Sequence, residues 1–268
     1  MELVRTVATR TPSRARVRRF GYLYVLGLLG VAAAAATTLV VGPLPSPLAS
    51  LSPVVAFLLV ALQPAVLLAV AVVVGGYAAP RVGLRSHVRA YASGNMAAWH
   101  GFRSELRTAV LLGALAGGTL LVLGWLVGPV GAVSGERATV ATVLAGVPLR
   151  FLYGGITEEL LLRWGLLSAV AALLWRVGGG DHGRLSSPVA WAAILVAAVL
   201  FGVGHLPTAA TLYGELTPDV VAFVVLGNSL GGVAYGWLFW RHSLEAAMVG
   251  HATTHVVFVA ASLVFLHV

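Results

Sequence analysis

The chain has 268 residues, 59% of them hydrophobic and only 10% charged, with no Cys and a formal net charge of +8. A soluble domain carries about 25% charged residues, so an ordinary soluble fold is excluded, and the lack of Cys excludes disulfides and Cys-ligated metals and leaves the redox compartment unreadable. All 17 basic residues are Arg, and eleven of them fall between Arg5 and Arg19 or between Arg81 and Arg107, beside apolar runs; that pattern assigns the positive charge to loops lying against anionic lipid and not to nucleic acid.

Each long apolar run can cross about 30 Å of hydrocarbon as a helix. The first, Phe20 to Val41, follows the basic N-terminus. A signal peptide would have an apolar region of about 7–15 residues, so this longer run reads as a retained span. An uncharged loop follows, Gly42 to Ser52, and then a span near 53–77 in which Pro64 marks a kink. A polar, Arg-bearing stretch over 80–107 precedes a third span near 109–133, and Ser134 to Arg137 make a turn.

Residues 139–176 are 38 in number, about 57 Å as one α-helix, too long for an upright crossing. Gly154 and Gly155 are the expected break: either two spans meet there, or the first part re-enters or lies at the interface and the second crosses. Arg176 and Arg184 mark 176–187 as cytoplasmic, Glu215 and Asp219 mark 207–219 as external, and Arg241 and His242 mark a cytoplasmic turn. With a cytoplasmic N-terminus this alternation requires one net crossing over 139–176. Later spans are expected near 188–206, 220–240 and 243–267. In 220–240, Gly227, Gly231, Gly232 and Gly236 form overlapping G-x-x-x-G spacings that suit a packing seam. The expected fold is therefore an all-α polytopic transmembrane bundle of about 7–8 spans. It is one integral membrane domain over 1–268, with a basic cytoplasmic N-terminus over 1–19.

Three polar clusters interrupt the apolar runs. A charge at mid-bilayer costs roughly 2.5–3.5 kcal/mol on insertion scales, so each cluster calls for a role. Glu158 and Glu159 are adjacent, and Arg163 stands four residues after Glu159. On a helix Glu159 and Arg163 can pair, whereas Glu158 points about 100° away and stays free. A free carboxylate is a candidate general base. His205 ends Phe201-Gly-Val-Gly-His205, near a helix end that Pro207 helps to terminate. His251 and His255 are four apart, which puts both rings on one helical face, at the spacing of helical metal-binding pairs, although the H-E-x-x-H motif is absent. His87, His100, His182 and His242 fall in loops, and His267 is terminal; none of them is assigned a role. Gly178-Gly-Gly-Asp181 has the letters of an aspartyl intramembrane protease motif but lies in a polar loop, and Gly227-Asn-Ser229 does not complete a rhomboid-like motif. Acid and imidazole groups within spans suit water activation. They also suit a proton carrier or transporter, or a scaffold in which the Glu159–Arg163 pair only specifies packing.

The three clusters, in this order, resemble the pattern E-E-x-x-x-R, F-x-x-x-H, H-x-x-x-N of the CPBP intramembrane proteases, which include the type II CAAX prenyl endopeptidases (Rce1-like) and bacterial Abi proteins. The resemblance covers about 150–260 and rests on Glu158, Glu159, Arg163, Phe201, His205 and His251; His255 stands where the family often has Asn. It implies hydrolysis of peptide bonds in membrane-associated peptides or proteins, with catalytic helices over 139–267. By that resemblance Glu158 activates water with help from His205, Glu159 pairs with Arg163, and His251 joins as a ligand or oxyanion donor. His255 then either donates to the oxyanion or, with His205, His251 and a Glu, completes a zinc shell. The all-Arg, Ala-rich usage points to a bacterial cytoplasmic membrane.

Overall fold

The computed structural model describes residues 12–41, 46–128, 139–178 and 184–265. Arg5 and Arg10, residues 42–45, the turn Ser134 to Arg137, Asp181, His182 and His267 lie outside the described residues. The described elements are helical and include no β-strand. Seven helical stretches among them are long and apolar enough to cross a membrane: Arg14–Val40, Pro53–Val82, Phe102–Val127, Val140–Val177, Ser187–Tyr213, Pro218–Arg241 and Leu244–Phe265. The chain is an all-α, multi-pass membrane helix bundle.

In chain order, α1 (Pro12–Val41) is followed by a one-turn α2 (Ser46–Ala49), by α3 (Pro53–Ala78, with Pro64 inside) and by a 3₁₀ turn, Ala79–Val82. The short α4 (His87–Ala92) and a second 3₁₀ turn, Met96–His100, lead into α5 (Phe102–Val127). Two boundaries differ from expectation: α1 begins at Pro12 and α5 at Phe102, so arginines read as loop charges ride on the ends of transmembrane helices. The long Arg stem allows this, because it lies along apolar surface while the guanidinium reaches water.

Next come α6 (Val140–Ala145), two π-helical stretches, Leu149–Glu158 and Leu160–Leu167, and α7 (Ser168–Val177). The expected break at Gly154 and Gly155 is absent. The chain turns instead at Gly146, ahead of Pro148, and otherwise makes one helical crossing. The wider π turn fits more residues into each turn and shortens the rise per residue, which helps a 38-residue span fit the bilayer. Two hydroxyls engage carbonyls five residues back: Thr157 Oγ1 donates to the Leu152 carbonyl at 3.3 Å, and Ser168 Oγ donates to the Arg163 carbonyl at 3.2 Å.

The chain ends with α8 (Ser187–Gly204), α9 (Leu206–Tyr213), α10 (Pro218–Arg241) and α11 (Leu244–Phe265). Pro207 does not end helicity; it sits in the first turn of α9, a position where its missing N–H costs nothing.

The π-helical rod lies between α1 and α3 on one side and α8, α10 and α11 on the other, while α5 packs on α11. On α8 most of the buried positions are small and many of the large apolar side chains face outward. Along α8, Ala190, Ala193, Ala197 and Ala198 are buried, whereas Leu195, Val199, Leu200 and Val203 are exposed. This suits lipid, which solvates Leu and Val freely and leaves close backbone packing as the main attraction between helices. The α8–α10 seam shows it: a Cβ on Gly232 would lie 2.8 Å from the Ala198 Cβ. Gly232→Val is expected to part the two helices and lower stability by about 1–3 kcal/mol, read as a lower thermal unfolding midpoint in detergent; an unchanged midpoint would contradict the seam.

A polar clasp at one end of the bundle escaped the sequence reading. Buried Glu245 accepts from Ser86 Oγ at 2.7 Å and from the His87 and Val88 N–H groups, both at 2.9 Å. Buried Glu105 accepts the Ser243 hydroxyl and lies 3.3 Å from His87 Nε2. His87, which had no assigned role, thus ties α4 to α5, and Glu245 ties α4 to α11.

Candidate functional site

The π-helical rod presents its two carboxylates to different surroundings. Glu159 is fully buried. Its Oε1 is 3.0 Å from Arg163 Nη1, the expected pair, although the N–H is not aligned as a hydrogen bond, and 2.8 Å from His251 Nδ1. Glu159 Oε2 has no hydrogen-bond partner among the described residues. Arg163 donates from Nη2 to the Gly232 carbonyl at 3.3 Å and lies under the Phe201 and Tyr235 rings, with its Cζ 4.9 and 5.2 Å from their centroids. A delocalised guanidinium suits such aromatic walls, where a compact ammonium would not.

Glu158 points the other way, into a cavity of about 310 Å³ that His205, His251 and His255 also line. The cavity thus brings Glu158 together with the three imidazoles. His251 is the residue that links the two carboxylates. Its Nδ1–H, donated to Glu159, fixes the tautomer and turns Nε2 toward Glu158, whose Oε2 is 4.0 Å away. The ring is held flat by stacking on Tyr235 at 4.4 Å and on His255 at 4.9 Å. His205, at the α8–α9 junction, donates Nδ1–H to the Phe201 carbonyl at 2.9 Å, which leaves the Nε2 lone pair free. Phe201 meets His205 edge-on at 4.6 Å, so it positions one imidazole while covering Arg163.

His255 is the anomaly. Both ring nitrogens are buried and neither has a hydrogen-bond partner among the described residues. Leaving buried polar atoms unmade costs about 1–3 kcal/mol, which is tolerable where a ligand completes them. Gly154 makes room for the ring: a Cβ there would stand 2.5 Å from His255 Nε2. Gly155 faces Ala252 in the same way. The glycine pair read as a helix break is thus a close approach between the π-helical rod and α11.

Several lining residues carried no signal in the sequence. Tyr235 donates its hydroxyl to Thr254 Oγ1 at 2.7 Å, and Thr254 donates to the Gly113 carbonyl at 2.8 Å, which ties α10, α11 and α5 together behind His251. Asn228 lines the cavity and gives one amide hydrogen to the Val224 carbonyl at 2.8 Å, with no partner for the other among the described residues. Beyond His205, Thr208 and Asn228 the cavity adjoins a largely apolar groove of about 610 Å³ between α5, α9 and α10.

Among the described residues no group of three or more His, Cys, Asp or Glu side chains is placed to hold a metal ion. The Nδ1 bonds of His251 to Glu159 and of His205 to a carbonyl leave the Nε2 atom of each ring free, as in the outer shell of a metal-ligating histidine.

Residues 139–257 match the model of a family described as type II CAAX prenyl endopeptidase Rce1-like. No curated protein and no solved structure matches the chain.

Proposed function

We propose that this chain, whose residues 139–257 belong to the Rce1-like type II CAAX prenyl endopeptidase family, cleaves peptide bonds of membrane-associated peptides or proteins with a water molecule activated by Glu158. The observation that supports this most is the unequal environment of the two adjacent carboxylates. Glu159 is consumed by Arg163 and His251, while Glu158 faces a cavity with three imidazoles around it.

In this reading the Glu158 carboxylate takes a proton from water as the water oxygen attacks the substrate carbonyl carbon. The Nε2 lone pair of His205 accepts the second hydrogen of that water and aims the oxygen. His251 directs its only neutral-state N–H at Glu159, so its Nε2 also serves as an acceptor near Glu158, in place of the ligand or oxyanion-donor role that the resemblance suggested. The oxyanion falls to His255, whose unpartnered ring can donate one N–H, and to the free amide hydrogen of Asn228. The C–N bond then breaks as Glu158 returns its proton to the leaving nitrogen, which yields an amine and a carboxylic acid. The adjoining apolar groove suits a substrate with an apolar segment beside the scissile bond.

His255 provides a specific test. By the resemblance, position 255 is where an Asn amide often stands, so His255→Asn is expected to retain cleavage within about tenfold, whereas His255→Leu, which has no donor, is expected to lose about 10²–10³-fold in kcat. The measurement is cleavage of a membrane peptide by purified protein, each variant at equal folded concentration. A leucine variant as fast as the parent would remove His255 from the mechanism.

A further inference from the structure

A second cavity, of about 430 Å³, shares no lining residue with the histidine cavity. It lies where α1 begins, where α3 ends and beside α4. Its rim carries three cations, Arg16, Arg19 and Arg89; Phe20, Leu23 and Val72 form its walls, and Trp164 of the π-helical rod closes its depth. Leu23, Val72 and Trp164 are buried, so the apolar part reaches into the bundle.

Among the described residues the cations have no counter-charge. Among the described residues the ion pairs are Arg85 and His87 with Glu105, Arg163 with Glu159, and His251 with Glu158 and Glu159; none involves Arg16, Arg19 or Arg89. The nearest fixed contact is internal to α1, where Arg19 Nε donates to the Ala15 carbonyl at 3.1 Å. Arg89 is half-buried, and its guanidinium is held below its ordinary pKa by that burial and then by the charge of Arg19. Like charges gathered at the mouth of a greasy pocket are stabilised by an anion, and guanidinium forks match phosphate geometry.

Position identifies the rest of the ligand. The candidate span Arg14–Val40 begins at this cavity and Pro53–Val82 ends at it. The mouth is therefore level with a membrane interface, where Tyr77 on its rim also belongs. A free phosphate would leave the apolar depth unfilled, and a hydrocarbon alone would leave the cations unmatched. Basic pockets between transmembrane helices are headgroup sites.

We propose that this cavity binds an anionic phospholipid, with its phosphate on Arg16, Arg19 and Arg89 and one acyl chain along Phe20, Leu23 and Val72 toward Trp164. Trp164 adjoins Arg163 in sequence and donates Nε1–H to the Val72 carbonyl at 3.3 Å. A bound lipid therefore buttresses the rod that carries the carboxylates, and it raises the unfolding temperature by mass action.

The test uses the purified full chain in detergent, with native mass spectrometry and thermal unfolding in the presence of phosphatidylglycerol, phosphatidylcholine of the same chains, or inorganic phosphate. Phosphatidylglycerol is expected to be retained and to raise the midpoint, and the other two are not. Arg19→Gln with Arg89→Gln should weaken retention roughly 25-fold, about fivefold for each arginine. The control pair Arg176→Gln with Arg241→Gln, exposed arginines away from the cavity, should leave it unchanged. Gly76→Leu isolates the tail: a Cβ on Gly76 meets nothing within 4 Å, and the residue lines the cavity, so leucine branches from an unobstructed Cβ into the acyl channel and should abolish retention with the arginines intact. Equal retention of phosphatidylcholine, equal loss in the control pair, or protection by inorganic phosphate that survives Gly76→Leu would overturn the proposal.

Discussion

Purified protein carrying Glu158→Gln is expected to keep its fold and to cleave peptides about 10²–10⁴-fold more slowly than the parent, the range for removing a positioned general base. The amide matches the carboxylate in shape, so the cavity keeps its form. Among the described residues Glu158 makes no hydrogen bond; His251 Nε2 stands 4.0 Å from its Oε2. What is lost is the capacity to take a proton from water. The check is a cleavage assay at matched folded concentration together with a thermal unfolding scan. Two curves with the same midpoint and rates differing by orders of magnitude would fit the account; equal rates would remove Glu158 from it.

Arg163→Met is expected to act on stability. Arg163 and Glu159 are 2% and 0% exposed, and removing the cation strands a carboxylate in the core, which costs about 3–5 kcal/mol. It also strips the guanidinium from between Phe201 and Tyr235 and from the Gly232 carbonyl. Adding Glu159→Gln to Arg163→Met removes the stranded charge, so the double variant should recover most of the lost stability, a non-additive result that identifies a coupled pair. Thermal unfolding of both single variants and the double in one detergent gives the answer. A double variant less stable than Arg163→Met alone would mean that the pair is not what holds the rod.

Much of this architecture can be read from local sequence, because lipid makes secondary structure a matter of run length. Each apolar run forms a helix, and the i, i+4 spacing of Glu159 and Arg163 gives a pair that needs no tertiary information. What stayed illegible is what depends on neighbours distant in the chain. The bond from His251 to Glu159 joins residues 92 apart, and it decides which ring nitrogen is left on the side of Glu158. The clasp of His87, Glu105 and Glu245 brings together three widely separated loop and helix ends, each an ordinary interfacial charge on its own. Tyr235 looks like packing until its hydroxyl is seen on Thr254 and its ring against His251. Gly154 and Gly155 misled for a different reason: glycine serves both breaks and close approaches, and only the place of His255 decides between them.

The most direct test is to incubate the purified protein, reconstituted in lipid nanodiscs, with membrane peptides in oxygen-18 water and to analyse the products by mass spectrometry. The account predicts new C-terminal carboxyl groups carrying the heavy oxygen from the parent and essentially none from Glu158→Gln. Uncleaved peptides from the parent, alongside a proton flux in proteoliposomes that Glu158→Gln abolishes, would contradict it and assign the buried acid and imidazoles to transport.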